Sequence, residues 1–161
     1  MIRRSNQRRV ALLQAFDAAV PAFQEATDEV DEAAAAVLGT NRTDMRWLSV
    51  LYRVGAMSPS ELATAAGLTR AAMTSALDRI ERAGYVTRTR EGADRRAVRV
   101  EVTDLLRQQC RRIYGPIATE GRRILSRYRT VELTAVLRFL EEGRALQQSQ
   151  ARRIKKLSVR P

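Results

Sequence analysis

Histidine is missing from this 161-residue sequence, and cysteine occurs once, at Cys110. Without histidine there is no imidazole to bind a metal or act as a general base. A single thiol excludes an intramolecular disulfide and fits a reducing cytoplasm. No apolar run approaches the roughly 20 residues needed to span a bilayer. The basic start MIRRSNQRR is followed by VALLQAF, too broken by polar residues for a signal peptide. Phosphate-cradling glycine loops, zinc spacings and serine-centred nucleophile motifs are also missing. An enzyme is therefore disfavoured, and neither a cofactor nor a metal is expected. There is no internal repeat, low-complexity tract or domain linker, so one domain over residues 1–161 is the natural reading.

What the chain has in excess is positive charge. Twenty-nine Lys and Arg face 18 Asp and Glu, a formal net charge of +11 with a pI near 11.2. Such a balance points to a polyanion, nucleic acid before membrane. The charge is also unevenly placed. Residues 10–41 hold no Lys or Arg, whereas both termini and the stretch 88–99 are crowded with arginine.

Residues 57–101 carry the organising pattern. Ser58-Pro59-Ser60-Glu61 reads as a capping box with proline at the first helical position. It opens a short helix, Pro59 to about Ala66, which Gly67 ends in a left-handed conformation. Thr69 caps a second helix in which Met73, Ala76, Leu77 and Ile80 form one buried stripe. The opposite side carries Ala71, Ser75, Asp78 and Arg82, flanked by Arg70, Thr74 and Arg79. Its N-terminal half is small, polar and basic, suited to a major groove about 12 Å wide. After Gly84 comes a hairpin, 85–90 and 95–102, in which Val98, Val100 and Val102 alternate with Arg99 and Glu101. Arg88, Arg90, Arg95 and Arg96 cluster at its tip, where cations suit phosphate or minor-groove contact.

The run ELATAAGLTRAAMTSALDRIERAGYVTR…ADRRAVRVEVT resembles the winged helix-turn-helix of the MarR (multiple antibiotic resistance regulator) family. The match lies in ELA before the turn, the Ile-Glu-x-x-Gly-Tyr-Val helix end, and the Asp-Arg-Arg wing followed by alternating valines. It extends over essentially the whole chain, because long helices flank this core as in that family. The resemblance implies a mainly α fold with a small antiparallel β-wing. It divides the domain into a DNA-binding lobe at 42–103 and a helical dimerisation lobe at 1–41 and 104–161. It also implies a homodimer and a small-molecule effector, phenolic or lipophilic. Asp94 and Arg96 fall on the family's wing aspartate and arginine.

The flanks read as follows. Residues 1–9 are a solvated end in preference to a basic arm. Residues 10–38 form a helix with a heptad seam, Leu13, Phe16, Val20, Phe23, Thr27, Val30, Ala34 and Val37. Pro21 predicts a kink or break near Val20. Glu25, Asp28, Glu29, Asp31 and Glu32 read as a solvated acidic face, placed away from DNA. Asn41 or Thr43 caps a helix over 44–55 with Trp47, Leu48, Leu51 and Val54 inward. Trp47 and Tyr52 are candidates to line a ligand pocket, against the plainer reading of core aromatics. Thr103 caps a helix from Asp104 that Gly115-Pro116 should bend, and Thr130 caps the last helix with Leu133, Val136, Leu137, Leu140 and Leu146 as its stripe. Cys110 reads as a packing residue rather than a redox switch, although Arg107, Arg111 and Arg112 lie near it.

The sequence therefore leads to a cytoplasmic, sequence-specific regulator of transcription, a repressor that binds double-stranded DNA as a homodimer, with no membrane partner. A nonspecific architectural DNA-binding protein is the alternative. The expected DNA-binding residues are Ser58, Ser60, Thr69, Arg70, Ala71, Thr74, Ser75, Arg79, Arg88, Arg90, Asp94, Arg95 and Arg96.

Overall fold

The computed structural model describes residues 2–90 and 98–157, with side chains from residue 6 onward. Six helices and one hairpin follow in order: α1 (Ile2–Val37), α2 (Arg42–Val54), α3 (Pro59–Ala66), α4 (Arg70–Arg82), β1 (Val86–Arg90), β2 (Val98–Val102), α5 (Asp104–Leu125) and α6 (Thr130–Ile154). Packing divides the chain into two compact units, Met1–Ile113 and Tyr114–Pro161. Helix α5 belongs to the first as far as Ile113 and to the second from Tyr114.

The core of the first unit is built by the stripes that the sequence exposes. Trp47, Leu48 and Leu51 of α2 meet Leu62 and Ala63 of α3 and Met73, Ala76, Leu77 and Ile80 of α4. Val86, Val100, Val102 and Leu106 close it from the hairpin and α5, and Leu38 from the end of α1. The hairpin is antiparallel, with Val86 opposite Val102 and Arg90 opposite Val98. Met57 adds a bridge to Val100, exchanging both backbone hydrogen bonds at 3.1 and 2.8 Å, so the segment before α3 is tied to β2. Thr103 joins two elements through one hydroxyl. It donates to the Gly84 carbonyl at 2.6 Å and accepts from the Leu106 amide at 3.3 Å, capping α5.

Several expectations need correction. Helix α1 starts at Ile2, not near residue 10, and runs through Pro21 without a break. A proline costs its helix locally, while each flanking residue still adds its own bond. Val54 is exposed, because α2 ends there and Gly55 (φ 92°) turns the chain away. The N-cap of α6 is Arg129 rather than Thr130: the Glu132 carboxylate accepts from the Arg129 amide at 2.8 Å and from its guanidinium at 2.9 Å.

Most of the apolar positions of α1 face outward within these residues. Leu13, Phe16, Phe23, Val30 and Val37 of the seam are exposed, Phe23 at 73%. In the second unit α6 buries none of its residues, and Val136, Leu137, Leu140 and Leu146 of its stripe are exposed. No helix among the described residues is long and apolar enough to cross a membrane.

Candidate nucleic-acid interface

Helices α3 and α4 are set by local chemistry before any packing. Ser58 Oγ accepts from the Glu61 amide at 3.2 Å, and the Glu61 carboxylate accepts from the Ser58 amide at 2.7 Å. The Ser58 backbone amide and then the Ser58 side chain, hydrogen-bonding the Glu61 carboxyl, with the Arg99 charge beyond them, hold that carboxyl below the usual carboxylate range. Gly67 then adopts φ 69°, a left-handed conformation that side chains rarely take, and Leu68 donates back to the Ala63 carbonyl at 2.9 Å. Thr69 Oγ1 accepts from the Ala72 amide at 3.2 Å and starts α4.

With Met73, Ala76, Leu77 and Ile80 locked inward, Arg70, Ala71, Thr74 and Ser75 lie on the exposed side of the first turns of α4. The Thr74 hydroxyl donates to the Arg70 carbonyl at 2.9 Å. Ser60 and Thr69 are also exposed, and Ser58 is half-buried in its capping role. Thr69, Arg70, Ala71, Thr74 and Ser75 thus lie together at the start of α4, while Ser58 and Ser60 stand at the far end of α3 from the turn. The structure does not treat the remaining arginines alike. Arg79 faces α2, where its guanidinium grips the buried Asp44 with contacts of 2.7 and 2.9 Å from Nη2. Arg88 lies along β1 and pairs with Asp78 of α4 at 2.6 Å, with Glu81 at 3.5 Å, while its amide donates to Glu81 at 3.2 Å. Arg90 is exposed at the end of β1. Asp94, Arg95 and Arg96 lie outside the described residues.

These pairings were missed by sequence reasoning. Asp44 and Arg79 are 35 residues apart, and nothing in either neighbourhood announces the other. A signal did exist for Arg88, since Asp78 and Glu81 put two acids on a helix otherwise read as DNA-facing.

The proposed ligand-pocket pair does not come together. Trp47 is fully buried and donates its indole N–H to Asp44 at 3.3 Å. Tyr52, five residues on and so on another face of α2, is partly exposed beneath the Arg107 guanidinium, 5.6 Å from the ring centre. A separate cleft of about 430 Å³ lies between α2 and α4, lined by Asn41, Arg42, Thr43, Asp44, Leu68, Ala72, Ala76 and Arg79. Cys110 packs against the core, and burial pushes its thiol up, away from the reactive thiolate. Among the described residues, no cluster of three acidic or cysteine side chains is placed to hold a metal.

Comparison with known proteins gives the same reading. Residues 38–97 match the model of the MarR family. An uncharacterised HTH-type transcriptional regulator, YcgE of Bacillus subtilis (strain 168), is 27% identical over 124 residues, covering 77% of this chain and 80% of its own. The crystal structure of the transcriptional regulator PA4135 is 28% identical, covers 84% of this chain and 94% of its own, and superposes with a TM-score of 0.54. The MarR family transcription regulator SP03579 shares the fold over 94% of this chain and 98% of its own, with a TM-score of 0.62 at 21% identity. Residues 38–97 are thus similar to the MarR family, and the chain as a whole resembles regulators of transcription in sequence and fold.

Proposed function

We propose that the protein is a sequence-specific repressor that binds a pseudo-palindromic operator as a homodimer and is released by a small phenolic or lipophilic effector. The observation that carries the DNA reading is the first half of α4. A buried stripe fixes the helix, and its other side offers Arg70, Ala71, Thr74 and Ser75, short or cationic groups able to reach base edges. Ser58 and Ser60 at the start of α3 and Thr69 at the start of α4 supply phosphate contacts. Arg90 and the wing residues Arg95 and Arg96, oriented by Asp94, reach the flanking minor groove. Loss of Arg96 should flatten the slope of log K against log salt by about one unit. The protein works in the cytoplasm, on the nucleoid when operator-bound.

The dimer is supported by the apolar face of α6, where Val136, Leu137, Leu140 and Leu146 are exposed among the described residues. A second copy of the same helices is the self-complementary partner that two-fold symmetry favours. Selection of bound duplexes from random DNA tests the whole reading. A repressor yields one inverted-repeat consensus with a fixed half-site spacing. Recovery of unrelated sequences at equal affinity would establish the architectural alternative instead.

A further inference from the structure

Among the described residues, Asp44 is the one charged or polar side chain that is fully buried. DNA contact does not explain it, since it is walled off from solvent and negatively charged. Its oxygens accept from Trp47 Nε1 at 3.3 Å, from Arg79 Nε at 3.3 Å, and from Arg79 Nη2 at 2.7 and 2.9 Å. Its backbone amide is held in turn by Asn41 Oδ1 at 2.9 Å. Arg79, its partner, is 46% exposed at the other end of the pair.

A buried ion pair is a poor source of stability, because desolvation offsets most of the attraction. It is a better source of geometry. The packing of Met73, Ala76, Leu77 and Ile80 holds α4 on the core but is non-directional, so it tolerates rotation of the helix about its own axis. A planar guanidinium gripping a carboxylate by two nitrogens does not. Arg79 is one turn beyond Ser75 on the same flank of α4. Ala72 and Ala76, the small residues beside it, line the cleft through which it reaches α2.

We propose that Asp44 is a positioning residue for DNA reading: it clamps Arg79 and so sets the roll of α4 that aims Arg70, Thr74 and Ser75 at base edges. Arg79, on this account, holds the helix and does not neutralise a phosphate. The inference rests on the sequence-specific reading given above.

The test uses the full-length chain and two duplexes, one selected from random DNA by the wild type and one of random sequence. Asp44→Asn keeps an acceptor for Trp47 and removes the charge that orients Arg79. The variant should lose preference for the selected duplex by roughly tenfold or more, the scale of a misdirected base contact. Affinity for random DNA and the salt slope should stay at wild-type values. Emission of Trp47, the single tryptophan, should shift with loss of the clamp. Should Asp44→Asn fail to fold, Asp44→Asn with Arg79→Gln leaves no unpaired charge in the core and is read in the same way. Unchanged preference overturns the inference. So does equal weakening on both duplexes with a salt slope lowered by about one, which would make Arg79 a phosphate contact. If neither variant folds, the pair serves the fold alone and the inference also fails. A wild type that prefers no sequence sinks the function proposed above, whereas a specific wild type with an equally specific variant sinks only this inference.

Discussion

The helix-turn-helix of the first unit and helix α6 of the second treat their apolar residues in opposite ways. Between α2 and the start of α5, large side chains such as Trp47, Leu51, Leu62 and Ile80 are fully buried. In α6 no residue is buried, and Leu137 is 58% exposed. Amphipathic sequence is present in both, so the difference is one of partners. The helix-turn-helix closes its stripes on one another between Leu38 and Leu106. Among the described residues, most of the stripe of α6 and of the seam of α1 is exposed. On the proposed reading, a DNA-reading module and an assembly module differ physically in whether their hydrophobic effect is satisfied within one copy.

That contrast can be broken most forcefully at α6. Leu137→Glu with Leu140→Glu should convert a dimer into a monomer in sedimentation, and cut affinity for a selected duplex by about 100-fold or more as avidity is lost. A wild-type chain that sediments as a monomer at micromolar concentration would remove the contrast altogether. Within the first unit, Leu62→Ala should cost about 2–5 kcal/mol in urea unfolding, because the cavity has no water to fill it. A cost no larger than that of a surface change would show that the core is less closed than its burial indicates.

On the reading face, Arg70→Ala should cost about 1–3 kcal/mol on the selected duplex and relax specificity there, while leaving the melting temperature unchanged. Equal weakening on every duplex would reassign Arg70 to the phosphates. The smallest effects belong to the cap. Ser58→Ala should lower stability by about 1 kcal/mol. The Glu61 carboxyl is held below its unfolded value, so its contribution is present above that value and is lost as pH falls through the folded one. Glu61→Gln should therefore fall short of wild type at neutral pH and match it in acid, as followed by thermal melts. A gap that persists in acid would mean that the charge of Glu61 is irrelevant.

Local rules made α3 and α4 legible to the residue. Ser58 to Glu61 specify a start, Gly67 a stop and Thr69 a new start, each through neighbours within four positions. The register of Val98, Val100 and Val102 was equally plain, since burial alternates with the pleat. What escaped the sequence was of longer range. Pro21 promised a kink or a break, and the break is absent because the long helix on either side of it carries the chain through. Arg79 and Arg88 looked alike, as basic groups near a DNA-reading helix. Only tertiary structure separates an arginine fixed on Asp44 from one fixed on Asp78 and Glu81, and both from the exposed Arg70. Trp47 and Tyr52 were paired by chemistry, but their offset along α2 sets them on different faces.

The link from Arg88 to Asp78 and Glu81 carries one more consequence. It fastens the first strand of the wing to the helix that, on the proposed reading, enters the major groove. The two would then act as a caliper of fixed opening. An operator would have to present its base-edge letters and its narrow groove at one constant offset. Shifting either by a single base pair would forfeit both contacts, so the site would tolerate a changed letter better than a changed length.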